Sequence, residues 1–214
     1  MSNAELWSEV EDHILSEKET LQGFTSHTEI YQWAINNGYN TQELFPIVKA
    51  ELKKVLDIDY AEMRERSRQE LAEKRHLAIE KLSAEAADAP LVELWAAASA
   101  NGTFAIVSDE DVVWYGTFHE DDFDFVGDLR SALRSVAKKA VWIAGKVRED
   151  MKAPAIRLTL HMDDAPGDLG KEMLRNNVAV HLEFDGSGGA SEVSTLPGYK
   201  SWREIPLDSL VVSQ

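Results

Sequence analysis

The chain has no cysteine, which excludes disulfides and thiolate metal sites and fits a reducing compartment, so the protein is expected to be cytoplasmic. No apolar run approaches the roughly 18 residues of a membrane span, and no membrane partner is expected. The opening Met1–Glu11 is polar and acidic, without the basic start and apolar centre of a secretion signal. Basic residues are in deficit: 22 Lys+Arg against 38 Asp+Glu give a net charge of −16 over 214 residues. The deficit is even, since residues 1–89 hold 10 basic and 18 acidic groups and residues 90–214 hold 12 and 20. Neither half is a basic nucleic-acid module, and a field of this sign opposes approach to phosphate unless a local basic patch overcomes it. Signatures of chemistry are also missing. Gly186-Ser187-Gly188-Gly189 lacks the Lys-Ser/Thr of a phosphate loop and reads as a flexible connection. There is no Gly-x-Ser-x-Gly elbow, and Ser187 near His181 makes no recognisable triad. What remains is globular in character: 44% hydrophobic residues, mean hydropathy −0.31, and length for one large domain or two small ones.

The first part of the chain carries legible helix starts. Ser2 with Glu5, Ser26 with Glu29, Asn40 with Glu43 and Asp59 with Glu62 all have capping-box spacing. They predict helices over Ala4–Glu19, His27–Asn37, Thr41–Val55 and Tyr60–Ala87. Asn37-Gly38 supplies a left-handed stop before the third helix. Pro46 implies a kink or a late start in that helix. The fourth is charged over Met63–Arg75, with Glu62–Arg66 and Glu70–Lys74 in the favourable order. Its apolar stripe is short, Leu71, Leu77, Ala78, Ile79 and Leu82, which suits a domain-bridging helix or a homodimer. Pro90 ends it. The predicted divisions are a helical domain 1–58, a long charged connecting helix 59–89 and an α/β domain 90–214.

From Pro90 onward the pattern changes to β runs: Val92–Ala98, Thr103–Ser108 and Val112–Phe118, the last two joined by a turn at Ser108–Asp111 as an antiparallel hairpin. A helix follows over Gly127–Asp150, with Leu129, Leu133, Val136, Ala140, Ile143 and Val147 on one face. Ile156–Met162, a short helix near Leu169–Arg175 and Val178–Phe184 complete the order β-β-β-α-β-α-β. The crossover from the third run to the fourth implies parallel strands. Ser194–Gln214, with Pro197 and Pro206, is expected to wrap back on the domain. Trp95, Trp114, Trp142 and Trp202 are expected to pack its core.

That order over Pro90–Asp185 resembles the ribonuclease H-like fold. The fold class is therefore an α+β two-part chain: an N-terminal helical bundle, a long linker helix, and an α/β ribonuclease H-like domain with a mixed five-stranded sheet. Active members of the family hold two metal ions on carboxylates, and the resemblance implies where these should lie. The segment Val92–Ser99, followed by the turn at Asn101-Gly102, matches the family's first strand, with Ala97 where the central Asp stands. The Glu early in the first long helix corresponds to Arg130-Ser131-Ala132-Leu133, which has no carboxylate. Asp163 matches the acid ending the fourth strand, and Asp185 or Glu192 the last acid. Two-metal hydrolysis needs carboxylates converging on ions about 4 Å apart, so the resemblance implies a scaffold without its chemistry and no catalytic residues.

Two groups of candidate site residues remain. His119, Asp121 and Asp122 after the third run, and Asp163 and Asp164 after the fourth, could together hold a divalent ion, a weak Mg²⁺ or Mn²⁺; no other cofactor is expected. Glu29–Val55 is helix-turn-helix-like, a form that places the second helix's start in a DNA groove. Thr41 and Gln42 lead that helix, while Lys49, Lys53 and Lys54 sit at its far end, where they also suit the helix dipole. The functional expectation is a non-enzymatic interaction protein, an accessory factor in replication, regulation or a phage or plasmid life cycle, with a protein or nucleic-acid partner. Its rivals are an unconventional metal-dependent nuclease and an acidic mimic of DNA.

Overall fold

The computed structural model describes residues 3–119, 122 and 124–212 and divides the chain into two compact units, Met1–Lys74 and Arg75–Gln214. In the first, α1 (Asn3–Ser16), α2 (Lys18–Gln22), α3 (His27–Asn36), α4 (Leu44–Leu56) and the opening of α5 (Tyr60–Glu85) enclose a core of Ile14, Leu21, Ile30, Trp33, Val48 and Leu52. Ser26 and Glu29 form a reciprocal capping box at the start of α3. Gly38, at φ +73°, closes that helix: its N–H reaches Ile35 O, and Tyr39 N–H reaches Ala34 O at 2.7 Å, the paired bonds of a Schellman stop. The Ser2 cap lies outside the described residues.

Two helices differ from the sequence expectation. The single helix over Ala4–Glu19 is broken at Glu17, and the chain turns into α2. Ser16 Oγ donates back to His13 O at 2.7 Å, a local bond that competes with the helix ladder. The turn also lets Leu21 reach the core, where it is fully buried. The helix expected from Thr41 begins at Leu44, with Thr41 Oγ1 accepting the Leu44 N–H at 3.0 Å. That start places Pro46 in the first turn, where a missing N–H breaks no helical bond.

The second unit is an α/β sandwich on a mixed five-stranded sheet of order β3-β2-β1-β4-β5. β1 (Leu91–Ala98), β4 (Ile156–His161) and β5 (Val178–Glu183) run parallel, and β2 (Thr103–Val107) and β3 (Val112–Thr117) extend the sheet as an antiparallel hairpin. α6 (Leu129–Asp150) covers one face, packing Val136, Ala140, Ile143 and Val147 against Val92, Leu94 and Leu158. α7 (Gly170–Asn176) leads into β5. The short α8 (Ala190–Val193) lies on the opposite face over β1 and β2.

The final segment does wrap back. Lys200 pairs with Tyr115 through N–H···O bonds of 3.0 and 3.2 Å, an isolated bridge on the β3 edge, and Val211 bridges Val92. No described residue pairs with the outer edge of β5. Trp114, Trp142 and Trp202 pack on the main core, whereas Trp95 belongs to a small cluster under α8. The α5 stripe is divided: Leu82 is buried and Ile79 packs into this core, while Leu71 and Leu77 are exposed. Among the described residues no helix is long and apolar enough to cross a membrane.

Candidate functional site

Side chains alternate along a strand, and in β1, β4 and β5 the face turned away from α6 collects polar groups. In register on neighbouring strands, Trp95, His161 and Glu183 stand side by side. His161 is only 5% exposed. Its ring lies flat on the Trp95 indole, centroids 4.6 Å apart and planes 10° from parallel. Nδ1 is 2.8 Å from Asp185 Oδ1, just past the end of β5, and Nε2 is 3.0 Å from Glu93 Oε1 on β1. Glu183 Oε2 adds a third carboxylate at 3.8 Å from Nδ1.

Burial alone would push the His161 pKa down. The hydrogen bonds to Asp185 and Glu93 outweigh it and hold the pKa above its ordinary value. The hydrogen bond from His161 in turn holds Asp185 below the usual carboxylate range. The arrangement is an imidazole clamped between acids and backed by an indole, well suited to keeping a proton.

His161, Glu183 and Asp185 can also offer three donor atoms within 4.8 Å of one another. A mixed nitrogen and oxygen set suits a transition ion such as Zn²⁺ or Mn²⁺ better than Mg²⁺. Such an ion would have to displace the proton from a ring whose nitrogens are both committed to carboxylates. The set supplies one ion position, whereas two-metal hydrolysis needs two.

Asp163, next along from His161, is turned to a different task. It accepts the Ser187 N–H at 3.0 Å and the Ser187 hydroxyl at 2.6 Å, with Ser191 Oγ at 3.4 Å, and these bonds lower its pKa. Ser187 is buried, so Asp163 pins the loop that delivers α8 onto the sheet. Asp164 is exposed and accepts the Ala165 N–H at 2.7 Å. Asp122 is held by Lys139 Nζ at 2.7 Å and by the His119 N–H at 3.0 Å. Asp121 lies outside the described residues. The two expected metal clusters leave the sheet at the same end, but β2 and β1 stand between β3 and β4. At about 4.8 Å per strand their exits are about 14 Å apart, too far for one ion.

In the helical unit Thr41 Oγ1 accepts the Leu44 N–H from the turn before α4, and Gln42 is exposed. Lys49 Nζ lies 5.3 Å from the Phe45 ring centroid. Lys53 is paired with Asp57 at 2.8 Å, and Lys54 with Glu11 and Glu51 at 3.0 Å each. Two of the three basic candidates, Lys53 and Lys54, are therefore already paired within the unit.

Sequence reasoning missed Glu93, Trp95 and Glu183 as partners of His161. The available signal was a phase: Glu93-x-Trp95, Thr159-x-His161 and His181-x-Glu183 put polar residues on one face of strands otherwise apolar in pattern. No family model, curated protein or solved structure matches the chain.

Proposed function

We propose that the chain is a non-enzymatic binding protein whose second unit is a ribonuclease H-like scaffold without the family's chemistry. The strand order and the helix between β3 and β4 support the scaffold. The observation that carries the rest is Ala97. At the position matching the bridging carboxylate it is a buried methyl packed with Ala105, Val107 and Ala190. No ion can be shared there. The acid nearest the start of α6, Asp128, accepts the Ser131 N–H at 2.7 Å as the helix cap. Asp163 and Asp185 are engaged by Ser187 and His161.

A protein partner with a basic surface is favoured over a nucleic acid. Net charge is −16, and Lys53 and Lys54 already have carboxylate partners. The hairpin tip Asp109–Asp111 is exposed, with no side-chain ion pair among the described residues. An accessory role in replication, regulation or a mobile element fits this chemistry.

The rival nuclease reading draws on the His161, Glu183 and Asp185 donor set. Incubation with DNA and RNA in Mn²⁺ or Mg²⁺ is expected to give no cleavage. Cleavage that disappears in Asp163→Ala or His161→Gln would replace the proposal with a metal-dependent nuclease. The DNA-mimic reading requires salt-sensitive binding to a basic DNA-binding protein, and tight DNA binding at low salt would sink it.

A further inference from the structure

No described residue pairs with the outer side of β5. Proteins usually guard such an edge with a lysine, a proline or a bulge. Val178-Ala179-Val180-His181-Leu182-Glu183 contains neither residue, and its register against β4 runs without a shift.

The backbone groups that face outward follow from the ladder. A residue's N–H and C=O point to the same side of a strand, and the side alternates along the chain. Ile156 N–H donates to Asn177 O at 3.2 Å, and Met162 N–H donates to Glu183 O at 3.0 Å. The odd-numbered residues of β5 therefore serve β4, while Val180 and Leu182 turn their amides and carbonyls outward. Side chains divide by the same alternation. Val180 and Leu182 stand beside Leu158 and Leu160 on the α6 face, and Phe184, next on that face, is 57% exposed. His181 and Glu183 share the opposite face, with Nε2 and Oε1 3.5 Å apart.

We propose that β5 pairs antiparallel with β5 of a second copy of the chain, about a two-fold axis at Leu182, joining two five-stranded sheets into one. In that register Val180 faces the partner's Phe184, a β-branched residue opposite an aromatic ring. On the other face His181 stands opposite the partner's Glu183. Symmetry makes each pair twice, and both kinds favour pairing. About six N–H···O bonds span Val180–Phe184, and the bend at Gly186, φ +114°, ends the run.

Other registers match less well. An axis at His181 sets the two imidazoles against each other, and an axis at Val180 sets Glu183 against the partner's Asn177. A basic extended segment from another protein suits Glu183 but brings a cation beside His181, whereas the reversed copy suits both. Net charge of −16 repels the copies at a distance, and physiological salt screens that field beyond about 8 Å. Edge pairing alone makes a small interface, so the dissociation constant is expected to be roughly micromolar. The pairing is independent of whether the scaffold has lost its chemistry.

The test combines sedimentation of the full chain, from about 1 µM to about 1 mM at physiological salt, with residue-resolved amide exchange at both ends of that range. The expected result is a monomer–dimer equilibrium in which the Val180 and Leu182 amides exchange fast when dilute and slowly when concentrated. The Ala179 and His181 amides, bonded to β4, should be protected throughout. His181→Glu sets like charges opposite each other and should weaken the dimer about tenfold, while His181→Lys, on the same exposed position, should leave it intact. A monomer at every concentration overturns the proposal, and so does His181→Glu dimerising as tightly as the unaltered chain. A dimer whose Val180 and Leu182 amides stay fast is held elsewhere, through α5 for instance, and overturns it as well.

Discussion

At the scale of single residues, His161 concentrates the consequences. Its pKa is raised, so its clamp stabilises the fold fully below the ordinary imidazole value of 6.5 and loses that contribution as pH rises through the raised value. Asp185 has a lowered pKa, so its share is present above the ordinary 3.8 and is lost as pH falls through the lowered value. The pair therefore contributes most at mildly acidic pH. Thermal melting from about pH 5 to about pH 9 should show a decline on the alkaline side that is shallower in His161→Gln. Parallel curves for the two proteins would refute the clamp. Gly188 is the second residue to probe. It sits at φ +51°, and a Cβ there would come within 2.9 Å of Trp95 Cδ1. Gly188→Ala should destabilise by about 1–3 kcal/mol and perturb tryptophan fluorescence as Trp95 is pushed from the imidazole.

At the scale of elements, the caps are the accessible handles. Asp128 accepts the Ser131 N–H at the start of α6, the helix that carries most of the second core. Asp128→Ala should lower stability by about 1 kcal/mol in urea denaturation, and Asp128→Asn should recover most of it. Local signals of this kind were legible in the sequence: the Ser26–Glu29 box, the Gly38 stop and the Ser108–Asp111 hairpin turn all act within a few residues. Where a distant contact decides, the reading slipped. The break at Glu17 follows from Leu21 seeking the core and from Trp33 Nε1 donating to Glu17 Oε2 at 2.8 Å. The expected strands overran by a residue at Phe118, Met162 and Phe184, because apolar character outlasts the ladder, and at Ser108, which already belongs to the turn with Asp111. The site was less legible still. His161 was visible as a residue, but Glu93 meets it across 68 positions of sequence through the pairing of β1 with β4.

At the scale of the whole molecule, two cores divide the chain within a single helix. Residues 68–74 of α5 are all exposed, and two turns of helix without packing are marginal in water. Hydrogen exchange should be fast there and slow in α6, and brief proteolysis should cut there first, giving fragments that match the two compact units. Uniform protection along α5 would contradict this division. The sheet has its own asymmetry. Lys200 crosses one margin of it at Tyr115, while no described residue pairs with the amide and carbonyl groups along the margin of β5. A molecule with one such sticky flank can zip to a single twin, flank to flank about a two-fold axis. Its other flank is interrupted at Tyr115, so growth by this route favours the pair over a fibre.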